Sequence, residues 1–126
     1  MDNWQTLDTF WNSFGLPAYD EQTAFTDKQE PAYPHITYQS ANGIMWQEMT
    51  LNASLWYKST TWKDISEKAS QIQAALAYGK MIKTDGGFLW IKMPNTTPFA
   101  QRAASGSDDE KIKRIVLTIE AESLSW

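Results

Sequence analysis

Apolar residues recur along this chain at two different periods, and each change of period marks an element. Near the start, Trp4, Leu7, Trp11 and Phe14 are spaced by three and four with Phe10 beside them, which predicts a helix with one buried face. Asp2 or Asn3 can cap its start, and Gly15 and Pro17 end it. No period is sustained over residues 16–34, where Pro17, Pro31 and Pro34 predict an extended connector.

From His35 the period falls to two. Ile36 and Tyr38 alternate with His35, Thr37 and Gln39, and Asn42-Gly43 then signals a turn. Met45, Met49, Leu51, Ala53, Leu55 and Tyr57 alternate with Glu48, Thr50, Asn52, Ser54 and Lys58, predicting a long strand with one face on a core. Helical spacing returns from Thr61 to Tyr78, where Ile65, Ala69, Ile72 and Leu76 form a stripe. Thr61 with Asp64 resembles a capping box, Asp64 and Lys68 stand one turn apart, and Gly79 suits the closing left-handed residue. KMIKT and FLWIKM flank Asp85-Gly86-Gly87 as a hairpin. Ile115, Leu117, Ile119 and Ala121 alternate with Arg114, Thr118, Glu120 and Glu122 as a last half-buried strand. The predicted order is α-β-β-α-β-β-β. It describes one α+β domain over residues 1–126, a largely antiparallel sheet of about five strands with two amphipathic helices on one face.

Composition narrows the function. Charged residues at 21% and a net charge of −4 fit a globular chain, and the eleven Lys and Arg are scattered, so nucleic acid finds no basic stripe. With no cysteine, disulfides, thiolate metal sites and thiol nucleophiles are excluded. The start, MDNWQTLDTFW, lacks the regions of a signal peptide, and no apolar run approaches the ~20 residues that span a bilayer. A cytoplasmic setting, or a particle assembled there, is expected. His35 is the sole histidine, too few for a zinc site without cysteine, and no nucleophile elbow accompanies it. The acidic clusters Asp20-Glu21 and Asp108-Asp109-Glu110 lack the spacing of a calcium loop, and Gly86-Gly87 precedes a strand and not a phosphate-binding helix. No catalytic residue, cofactor or metal ligand is therefore assigned.

Seven tryptophans raise a different question. Trp4, Trp11 and Trp90 are expected in the core. Trp46 and Trp56 interrupt the polar face of the long strand and are candidates either for a second core or for a partner surface. Residues 94–110, PNTTPFAQRAASGSDDE, form an unusually long polar stretch for so short a chain. Phe99 and Arg102 stand in its middle, an apolar anchor and a bidentate donor, and Asp108 and Asp109 can pair with a neighbour. All six residues are candidate contacts with another subunit or partner.

The segments FWNSFGLPAYDE, LWYKSTTWKDISEKASQI, GGFLWIK, TPFAQR and DDEKIKRIVLTIEAE together resemble small tail-terminator or tail-completion proteins of long-tailed bacteriophages and prophages. That resemblance implies an α+β subunit of a hexameric ring on the head-proximal end of the tail tube. The ring ends tube polymerisation and meets the head–tail connector protein. It implies a homo-oligomer, the tail tube protein as partner, DNA only in non-specific passage through the lumen, no membrane, and a place in the virion neck after assembly in the bacterial cytoplasm. Another connector or head-completion subunit has similar size and composition. An aromatic-surface module that binds a ligand through Trp46 and Trp56 is the alternative of a different class.

Overall fold

A computed structural model describes residues 2–22, 32–40 and 49–125. Helix α1 spans Asn3–Asn12 and begins as its sequence requires: Gln5 N–H donates to the Asp2 carboxylate at 2.8 Å, and Asp2 N–H donates to Gln5 Oε1 at 3.1 Å. This reciprocal box satisfies two of the open donors of the first turn. Helix α2, Lys63–Ala75, starts differently. Trp62 is its N-cap and no side chain caps it; Thr61 Oγ1 only accepts a long bond from Lys63 N–H at 3.4 Å. The expected Thr61–Asp64 box does not form, and Lys68 donates to the Phe14 carbonyl (3.0 Å) and Gln71 (2.9 Å). α2 is held instead by burial of its stripe, Ile65, Ala69, Ile72 and Leu76, in keeping with the rule that packing outweighs local propensity.

The fold is α+β, two helices on a curled mixed sheet. Seven strands are described: β1 Ala18–Asp20, β2 His35–Tyr38, β3 Met49–Lys58, β4 Lys80–Thr84, β5 Gly87–Lys92, β6 Ala100–Ala103 and β7 Ile112–Ser125. Their order is β1-β2-β3-β7-β5-β4, with β6 also on β7. Two strands exceed the expected five-strand antiparallel sheet. β1 lies in the connector and runs parallel to β2, and β6 lies in the long polar stretch. At three and four residues, neither is long enough to show a period. The Asn42-Gly43 turn and the start of the long strand lie outside the described residues.

Register fixes which residues face the helices. Ile36 pairs with Leu55 and Tyr38 with Ala53; Leu55, Ala53 and Leu51 pair in turn with Ile115, Leu117 and Ile119. All are buried in one cluster with Leu89, Ile91, Leu7, Phe10 and Trp11. α1 touches both β1 and β4, the two ends of the sheet path, and so closes the open side of the curl. Trp11 stacks on Tyr38 at 6.5 Å between centroids, and Tyr38 Oη donates to Asp8 at 2.5 Å. Burial, then the bond to Asp8, pushes the Tyr38 phenol well above its ordinary range. Trp4, expected in the core, is instead 44% exposed and donates to Asp20 at 3.4 Å. Trp90 is half-buried on the opposite face of the sheet, with Lys92 Nζ 4.5 Å from its ring centre.

Gly79 follows α2 at φ +77, and a Cβ there would stand 2.9 Å from Trp90 Nε1. Gly79→Ala is therefore expected to cost ~1–3 kcal/mol from strained backbone and displaced indole together. The loss reads out as a lower urea midpoint at unchanged slope.

Candidate functional site

On the sheet face away from the helices, β3 lies between β2 and β7, so Trp56 has His35 as one cross-strand neighbour and Arg114 as the other. The His35 ring stacks on Trp56 at 6.3 Å and 14°, and the Arg114 guanidinium lies 5.0 Å from the indole centre. Trp56 Nε1 donates to Thr37 Oγ1 at 2.9 Å, and Arg114 Nε donates to Ser54 Oγ at 3.0 Å. The ring and the donor of this indole thus find partners within the chain, and Trp56 is partly buried. The row continues through Tyr33 and Tyr19, whose rings lie 5.1 and 6.2 Å from His35.

His35 is thus on the face the alternation assigned it to, but buried. Its Nδ1 donates to the Ala32 carbonyl at 3.2 Å. Burial holds the imidazole below its ordinary 6.5, with the Ala32 bond opposing. The unfolded chain therefore takes up a proton at higher pH than the native one does. The contribution of His35 to stability is complete above pH 6.5 and is lost as pH falls through the lower native value. A slope of up to ~1.4 kcal/mol per pH unit is expected in that window. His35→Gln should flatten it, as urea midpoints at about pH 7.5 and 5.5 would show; equal slopes in both chains would assign the effect elsewhere.

A second surface is built around β6. Phe99 is 5% exposed and belongs to the chain's own core, which anchors the start of β6 to β7 through Thr118 N–H donating to the Phe99 carbonyl at 2.7 Å. Arg102 is exposed, its guanidinium 4.6 Å from the centre of the Trp62 ring, which Lys113 Nζ also approaches at 5.7 Å. Between β6 and α2 runs a groove of about 230 Å³, lined by Ser66, Ser70, Gln73, Arg102 and neighbours, and it continues past Ala77 and Met93. Beyond it Tyr78 is fully exposed, and Met81 on β4 is 54% exposed.

The six candidate contact residues do not converge. Trp56 and Arg102 stand on opposite faces of the sheet, since Arg114 pairs with both Trp56 and Ala103, whereas Arg102 pairs with Ile115. Phe99 points inward and is no partner anchor. Asp108 is exposed. Asp109 organises the turn before β7: it accepts Lys111 N–H at 2.9 Å and pairs with Lys58 at 3.6 Å, and these hold its carboxyl below the usual range. Trp46 lies outside the described residues. Trp62, Tyr78 and the side of α2 facing β6 escaped the sequence reading because they share no period with a core face. The exposure of Tyr78 follows only from how α2 ends.

Among the described residues, no three His, Asp or Glu side chains are grouped as a metal ion requires, and no helix is long and apolar enough to cross a membrane. Comparison with protein-family models, with curated proteins and with solved structures found no match.

Proposed function

We propose that the chain is a tail-terminator subunit of a long-tailed bacteriophage, which closes into a ring, hexameric in the related assemblies, on the head-proximal end of the tail tube. Its work is assembly: the ring stops tube growth and offers its far side to the head–tail connector. The observation that carries the reading is the flank formed by β6, α2 and Tyr78. There no described strand covers a sheet edge, a cation is exposed and an aromatic side chain is fully solvated, the ingredients of a protein contact. The resemblance of the motif set to tail terminators supplies the kind of assembly. The aromatic-surface ligand module loses support at Trp56, because its indole already engages His35, Arg114 and Thr37 of its own chain.

The test is tube length. Tail tube protein polymerised with the purified chain should give tubes that stop short and bear a ring at one end in electron micrographs. Tubes of unaltered length without rings would overturn the reading. Rings that bind a connector but ignore tubes would move the chain to the neighbouring position in the neck.

A further inference from the structure

Among the described strands, the sheet is left open beside β6. β5 and β6 lie end to end along the same side of β7, pairing with residues 120–125 and 114–117 respectively. β4 covers the outer edge of β5, and no described strand covers that of β6. Phe99 and Thr118 form a bonded pair, so by the alternation of an antiparallel ladder the backbone groups of Ala100 and Arg102 turn to the open side. The other margins are managed. At β1 the Asn12 amide acts as a stand-in strand, accepting from Ala18 N–H at 3.0 Å and donating to the Ala18 carbonyl at 3.3 Å. At β4, Lys80 and Lys83 guard the edge and α1 lies close by. Beside β6 the wall is the small, uncharged side of α2, and the groove's charge among the described lining residues is Arg102.

The opposite margin of the sheet has the complementary charge. Residues 2–22 contain Asp2, Asp8, Asp20 and Glu21 and no Lys or Arg. Asp2 caps α1 and Asp8 accepts from Tyr38, which leaves Asp20 and Glu21 at the end of β1. No cation is paired with either among the described residues, nor any carboxylate with Arg102. In the parallel pairing of β1 with β2, Glu21 N–H donates to Tyr38, so the Asp20 backbone turns outward like that of Ala18.

We propose that the open edge of β6 receives the acidic α1–β1 margin of a second copy of this chain, with Asp20 and Glu21 of one copy against Arg102 of the next. This deepens the ring reading and rests on it. The two patches differ, so the contact is head to tail, and repetition of such a contact closes a ring or runs on as a filament. Carboxylate–guanidinium pairing sets the register, and at β1, where Asn12 occupies only Ala18, the outward Asp20 backbone is the main-chain group that meets the β6 edge.

Charge exchange in the full-length chain tests it. Arg102→Glu should weaken association at least about tenfold, as should Asp20→Lys combined with Glu21→Lys. Glu21→Lys alone is a second acid-side variant, because Asp20 also accepts bonds from Trp4 and Gln22 within its own copy. Chains carrying the Arg102 and Glu21 reversals together should regain most of the lost association. Mass is read by sedimentation with and without tail tubes, with urea midpoints confirming that each variant is folded. If reversals leave assembly unchanged, or the combination fails to recover it, this contact is wrong while the ring stands. If the unaltered chain forms no ring even on tubes, the ring reading itself falls.

Discussion

Replacing Phe99 with alanine is expected to destabilise the isolated chain by about 3–5 kcal/mol, the cost of emptying a well-packed aromatic site. Native domains hold only about 5–15 kcal/mol in reserve, so this is a large fraction of the whole. The reason is structural. Phe99 is 5% exposed, its carbonyl accepts the first ladder bond of β6, and of the four residues after it Ala100 packs against the core only partly buried. Arg102→Ala, by contrast, removes an exposed cation over Trp62 and is expected to cost under about 1 kcal/mol. Urea unfolding of the two variants separates roles that the sequence had assigned jointly to a neighbour's surface. A Phe99→Ala chain as stable as the original would show that β6 is not held by its own core.

Trp11→Ala is the second large effect, again about 3–5 kcal/mol, with loss of α1 as an ordered element. Trp11 is 1% exposed and makes edge contacts with Phe10 at 4.9 Å besides its stack on Tyr38. It is the wedge by which α1 closes the curl between β1 and β4. Its indole N–H, however, is buried with no partner among the described residues. Trp11→Phe therefore removes volume and an unsatisfied donor together, and the two changes offset. The expected net cost is below about 1.5 kcal/mol. Far-ultraviolet circular dichroism and urea midpoints read both variants; a Phe variant as damaged as the Ala one would mean that the N–H is satisfied.

Long periodic segments were legible in the sequence. The stripe of α2 and the alternation of β3 and β7 are each set by many residues that must share one face, and the structure keeps them. What was not legible arises from pairing across the chain. β1 exists because Asn12 and β2 hold three residues between them, and β6 because Phe99 finds the core 18 residues from Leu117 in sequence but adjacent to it in the sheet. The same holds for Trp4: it shares the helical spacing of Leu7 and Trp11, but sits at the rim, where Asp20 takes its N–H. Trp56 was correctly placed on the second face, and its covering by His35 and Arg114 depended on a register that no single strand encodes. The candidate contact surface was half legible: Arg102 was named from its setting, while its neighbours on α2 were not.

On the proposed reading, copies of this chain assemble into a ring on a tail tube. The most direct test is the solution mass of the purified chain, alone and after mixing with tail tube protein. A single closed species near six times 14.4 kDa, formed alone or on the tube, is the result predicted. A 14.4 kDa monomer under both conditions would contradict it.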